Sequence, residues 1–92
     1  MELNEQIADR LRDVLAAEHI ALTDESARHK GHAGARDGGG HFVVQVVSTR
    51  FAGMDRLSRH RAVYEALADL MGGRIHALSV RALTPEEWRA SG

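Results

Sequence analysis

The 92-residue chain predicts a single α+β domain over 1–92, with elements in the order helix, strand, strand, helix, strand, short helix. Two stretches repeat apolar residues at helical spacing, others run as β-branched apolar segments, and glycine or proline marks the joints. A right-handed crossover through the second helix makes the second and third strands parallel, and the first strand pairs antiparallel with the second. The expected product is a three-stranded mixed sheet with its helices packed on one face.

Each element has its own signal. Leu3, Ile7, Leu11, Val14 and Leu15 form the apolar stripe of the first helix, with Glu5, Asp9, Arg10, Arg12 and Asp13 on its other faces. This helix is expected to fade near Glu18 and His19, where His19 would complement the negative helix end. Ile20, Leu22 and Asp24 mark a short extended segment. From Ala27 to Gly40, glycines are interleaved with Arg, Lys, His and Asp and there is almost nothing to bury. A flexible Gly/His-rich loop over 27–40 follows, at a length where loops tend to be functional or disordered.

His41 to Ser48 is the clearest strand, and its apolar run Phe42, Val43, Val44, Val46 and Val47 suits a central position covered on both sides or nearly so. The second helix is expected from an Asp55 N-cap to Met71, burying Leu57, Val63, Tyr64, Leu67, Leu70 and Met71, with Gly72-Gly73 as the stop. Ile75 to Leu83 is the third strand. Thr84-Pro85-Glu86-Glu87 reads as a capping box with proline at the first helical position, so a last short turn returns Trp88 to the body.

Composition narrows the function classes. Apolar and charged fractions of 43% and 27% belong to an ordinary globular domain, and no run is long enough to span a bilayer. No signal peptide is read at the start, so a cytoplasmic location is expected. The formal charge of −1 gives no bulk attraction to nucleic acid. The absence of cysteine excludes disulfides, a thiol nucleophile and any thiolate metal site made by this chain alone. No paired carboxylates, Ser/His/Asp arrangement or phosphate-cradling loop stands out, and no enzymatic activity is expected. Six histidines remain as the main chemical feature.

Several blocks, in order, resemble the BolA family: Asp24-Glu25-Ser26 followed by His29 and His32; His41-Phe42; Phe51-Ala52-Gly53; Arg59-His60-Arg61-Ala62-Val63-Tyr64; Ile75-His76-Ala77-Leu78-Ser79; and Thr84-Pro85-Glu86-Glu87-Trp88. Asp55 departs from the family, which usually has serine there, but both residues are good N-caps. The resemblance implies a class II KH-like fold and partnership with a monothiol glutaredoxin, sharing a 2Fe–2S cluster whose other ligands are the glutaredoxin thiolate and glutathione. It also implies that His76 and a histidine of the loop between the first two strands are metal ligands. Some members are described as DNA-binding transcriptional regulators of stress responses.

The histidines have competing readings. His29 and His32 form an H-x-x-H in the loop, which is either solvated or able to close on a metal. The resemblance to the BolA family makes His29 the preferred loop ligand, since the family places its loop histidine or cysteine three residues after the position of Ser26, with His32 as the alternative. By alternation His76 shares a face with Leu78 and Val80, so it is either a half-buried core residue or a ligand at the sheet margin, since histidine ligation of iron–sulfur clusters is established chemistry. His41 reads as supporting or structural, and His60 as a helix–sheet packing residue with one ring nitrogen bonded. Arg50, Arg56, Arg59 and Arg61 around the start of the second helix form either a phosphate-contacting patch or a solvated face in which Arg61 pairs with Glu65. Gly31-His32-Ala33-Gly34 matches the RNA-clamping G-x-x-G only superficially, because it lies between strands rather than helices. The isolated chain is expected to be a monomer.

Overall fold

The computed structural model describes residues 2–25 and 40–91. The elements are α1 (Leu3–Leu15), β1 (His19–Asp24), β2 (Gly40–Val47), α2 (Arg56–Ala66), β3 (Ile75–Leu83) and α3 (Pro85–Ser91), with 3-10 turns at Thr49–Phe51 and Ala68–Leu70. The sheet order is β1-β2-β3, with β1 antiparallel and β3 parallel to the central β2. Order and strand directions are those expected from the sequence. The expected loop over 27–40 lies outside the described residues, apart from Gly40, which opens β2.

Register explains the core. Ile20, Val46 and Ala82 align across the sheet, as do Leu22, Val44 and Val80. Against this face α1 sets Ile7, Leu11 and Leu15, and α2 with its C-cap sets Val63, Ala66 and Leu67. On the other face of β2, Val43 and Gln45 are half-buried, so the strand is fully covered on one side only.

Three residues placed in the helical stripes are exposed instead: Val14 (44%), Leu57 (59%) and Tyr64 (38%). The buried line on α2 runs through Val63, Ala66, Leu67 and Leu70, and Leu57 sits about 120° around the helix from Val63. Helix α2 also ends earlier than expected: its α-helical turns stop at Ala66 and a 3-10 turn tightens the remainder. Arg10 explains why this end is held, since its Nη1 donates to the Ala66 carbonyl (3.2 Å) and its guanidinium forks onto Asp69. Gly72 then takes φ +83°, a left-handed conformation that glycine adopts without strain.

The first helix closes at Leu15, not near His19. Ala16 takes the left-handed conformation (φ 51°, ψ 41°), and the hydroxyl of fully buried Ser48 donates to the Leu15 carbonyl at 2.5 Å. The Glu18 N–H then donates to the Val47 carbonyl (2.8 Å), which commits the following residues to the sheet. His19 is therefore the first residue of β1, not a helix-end charge, and its ring stacks on Trp88 with centroids 4.5 Å apart. The predicted caps are in place. Asp55 Oδ1 accepts from the Ser58 N–H (2.8 Å), and Thr84 and Glu87 exchange backbone-to-side-chain bonds of 2.8 and 3.2 Å.

The same Ser48 hydroxyl accepts from the Arg50 N–H (3.1 Å), so removing it leaves a buried carbonyl and an amide without their partner. Ser48→Ala is expected to lose about 1–3 kcal/mol of stability, read as a lower urea midpoint with an unchanged slope. An unchanged midpoint would show that Leu15 and Arg50 find other partners.

Candidate functional site

One end of the sheet gathers the residues that carry ligand chemistry. The Glu25 N–H donates to the His41 carbonyl (2.7 Å), and the Gly40 N–H donates to the Arg74 carbonyl (3.1 Å). The chain therefore leaves β1 and enters β2 beside the start of β3. The ladder between β2 and β3 slips there: Gly40 pairs with Ile75, but His41 pairs with Ala77. His76 is the extra residue of this bulge.

The slip settles the orientation of His76. Ile75 and Leu78 are both buried although they have opposite parity, and His76 between them is exposed. Strict alternation would have put the imidazole on the core face beside Leu78. A bulge adds one residue, breaks that alternation locally and re-aims a side chain. The reading of His76 as a half-buried core histidine is thus corrected, and it stands at the sheet margin. His41 is the second residue of β2 and is half-buried.

His29 and His32 lie outside the described residues. Chain length alone bounds their reach: His29 is four residues beyond Glu25, a span of at most about 14 Å. Among the described residues, no group of three or more His, Cys, Asp or Glu side chains is placed to hold a metal ion. What the described end of the sheet offers is one outward imidazole with a second histidine-bearing segment tied beside it.

The four arginines divide. Arg59 is only 14% exposed in its side chain and makes four hydrogen bonds: Nε to the Met54 carbonyl (3.0 Å), Nη1 to the Ala82 carbonyl (3.1 Å), and both terminal nitrogens to Glu87 (2.6 and 3.3 Å). It joins the start of α2 to the end of β3 and to α3, and four of its five N–H donors are used within the fold. Arg50, Arg56 and Arg61 are exposed, and Arg61 makes no ion pair with Glu65 among the described residues. His60 is half-buried in a groove of about 650 Å³ with Met54, Val80 and Leu83, as a packing residue should be, but its ring nitrogens form no hydrogen bond among the described residues.

Comparison with known proteins agrees with this architecture. A family model described as BolA-like protein matches residues 11–87. The chain belongs to the BolA-like family. The mouse BolA-like protein 1 is 45% identical over 83 residues, which is 90% of this chain and 58% of that protein. The chain thus spans a little over half the length of this relative. The DNA-binding transcriptional regulator BolA of Escherichia coli strain K12 is 38% identical over 96% of this chain and 81% of its own. The structure of BolA1 from Arabidopsis thaliana superposes with a TM-score of 0.80 at 33% identity, covering 95% of this chain and 96% of that one.

The two most specific BolA-like blocks meet in space. From the Arg59–Tyr64 block, the Tyr64 hydroxyl donates to the Leu78 carbonyl (2.8 Å) and Arg59 donates to the Ala82 carbonyl. Both carbonyls belong to β3, the strand that carries His76. Sequence reading missed the bulge, although the signal was present: Ile75 is apolar on one parity, while Leu78, Val80 and Ala82 are apolar on the other.

Glu87 gives a pH test of this junction. The hydrogen bond from Arg59, helped by the Thr84 N–H, holds its carboxyl at about 2 instead of 4.5. A depressed carboxylate stabilises the fold above its unfolded value, and that contribution is lost as pH falls from about 4.5 toward 2. Glu87→Gln is expected to lower the melting temperature at pH 7 and to lose less than the wild type between pH 4.5 and 2. Parallel curves for the two proteins would show that the pair does not contribute.

Proposed function

We propose that this BolA-like chain is an adaptor that binds a monothiol glutaredoxin and helps ligate a 2Fe–2S cluster shared between the two proteins. His76 supplies one ligand, and His29 or His32 supplies the other. The observation that carries this reading is the bulge, which turns His76 outward beside the two anchor points of the histidine-bearing segment.

The donor set fits a shared cluster better than a resident one. The chain has no thiolate, so thiolate ligands would come from the partner's cysteine and from glutathione, and His76 with His29 or His32 would supply imidazoles from this chain. When bound, the cluster supplies one-electron and iron–sulfur transfer chemistry. The role of this chain is to hold: β3 fixes the His76 backbone through its ladder, and the Tyr64 and Arg59 bonds keep that strand against α2. Binding and presentation, without catalysis by this chain, are sufficient for an adaptor in iron–sulfur homeostasis.

Anaerobic reconstitution with a monothiol glutaredoxin, iron, sulfide and glutathione tests the assignment. The mixture is expected to differ from glutaredoxin alone in visible absorption and circular dichroism. His76→Ala should remove the difference, while His60→Ala should preserve it. His29→Ala and His32→Ala, made separately, identify the loop ligand. A His76→Ala protein that still folds and gives the full spectral change would disprove the role of His76.

A second reading is favoured by the exposed Arg50, Arg56 and Arg61 and by the DNA-binding name of the Escherichia coli relative. In this reading the chain is a transcriptional regulator that contacts phosphates around the start of α2. It predicts retardation of promoter fragments that persists at about 150 mM salt and is lost in Arg56→Ala/Arg61→Ala. Equal loss for unrelated DNA, or erasure by that salt, would sink it. Arg59→Ala is not a suitable test, because it removes a fold contact.

A further inference from the structure

The register slip that turns His76 outward also fixes which residue stands beside it. Ile75 and Leu78 both belong to the buried cluster under the helices. The two residues between them, His76 and Ala77, therefore lie on the opposite face of the sheet, which a bulge permits and strict alternation does not. On β2, Phe42 and Val44 are buried in that cluster, so His41, like Val43 and Gln45, projects from the same face as His76. His41 pairs with Ala77, the residue next to His76. Neighbouring strands are about 4.8 Å apart and each residue advances about 3.3 Å, which puts the two histidine Cα atoms about 6 Å from each other.

Two imidazoles on adjacent strands and one face can converge on a single ion, with metal–nitrogen bonds of about 2.0–2.1 Å. The surroundings favour a cation. The Glu25 N–H donates to the His41 carbonyl, which carries the β1–β2 ladder one step beyond the Asp24–Phe42 pair and sets Glu25 on this face as well. Glu25, His41 and His76 thus form a row across the sheet. They do not make a three-ligand cage among the described residues, so the carboxylate adds negative charge near the ion and water completes the coordination. Imidazole suits zinc, copper and nickel, whereas magnesium and calcium take oxygen ligands.

We propose that His41 and His76 together bind one divalent ion of the zinc, copper or nickel class on the helix-free face of the sheet, in the chain by itself. His76 is common to this site and to the shared-cluster reading. The ion site requires neither a glutaredoxin nor a loop histidine, so the two readings stand or fall by separate measurements.

The test titrates zinc into the full chain carrying His29→Ala/His32→Ala, which removes the other closely spaced histidine pair. One zinc per chain is expected to bind. It should shift the ring nitrogen-15 resonances of His41 and His76 and leave those of His19 and His60 in place. Losing only a supporting group costs about 10–100-fold in metal affinity, so His41→Gln or His76→Gln, each added to that chain, should weaken binding by at least about tenfold. The two together should weaken it hardly more than either one, because residues sharing one ion are not additive. The ring resonances report the site without a substitution at His41, so the outcome does not hang on whether His41→Gln folds. Zinc affinity unmoved by either substitution, or ring shifts confined to other histidines, would overturn the proposal. So would zinc binding to the wild type that vanishes in His29→Ala/His32→Ala, since that assigns the ion to the loop pair.

Discussion

The hydroxyl of Ser48 has no access to solvent and joins segments far apart in sequence. It donates to the last carbonyl of α1 and accepts from the Arg50 amide within the turn after β2, while the Ser48 backbone N–H donates to the end of β3. A helix end leaves carbonyls unsatisfied, and burying one without a partner is costly. By taking the Leu15 carbonyl, Ser48 sets where α1 stops, and so where β1 begins and which of its residues face the helices. The stacking of His19 on Trp88 closes the same end of the sheet from α3. The opposite end has a bulge, two histidines and the attachment points of the segment between β1 and β2. The sheet thus has one end closed by hydrogen bonds and ring stacking and another that carries His41 and His76.

Arg59 does for the β3 side what Ser48 does for the central strand. A guanidinium at the mouth of a groove reads as an anion contact from sequence, yet here its fork is filled by Glu87 and two backbone carbonyls. The planar group suits this because its donors point in fixed directions, and a lysine would not reach all four acceptors. Together with Tyr64 it satisfies two outer carbonyls of β3, those of Ala82 and Leu78, and places side chains along that edge. Within the Arg59–Tyr64 block, these two residues thus hold the outer side of β3.

Element order, strand directions and caps were legible because each rests on local signals: periodicity, β-branched runs, Asp55 and the Thr84–Glu87 box. The exact helix ends were not, because Leu15 is capped by a residue 33 positions away and Ala66 is held by Arg10 from another helix. Val14, Leu57 and Tyr64 were misplaced because an apolar residue near a stripe need not lie within it, and Tyr64 has a hydroxyl to satisfy. His76 was legible as a chemical type and not as an orientation. Its exposure depends on a register slip against Gly40, a pairing that alternation along one strand cannot reveal. The loop histidines were named from spacing and resemblance, and lie outside the described residues.

The proposed adaptor role follows a general logic of incomplete ligand sets. A chain with imidazoles and no thiolate offers a cluster too few soft ligands to retain it alone, so stable ligation requires a second molecule. Dependence of this kind makes cluster occupancy report on the presence of the partner. The bulge contributes by holding one ligand in place before association, since every group already oriented removes an ordering cost from binding. On this reading His76 is the ligand whose backbone the fold already holds in place, and His29 or His32 is the other.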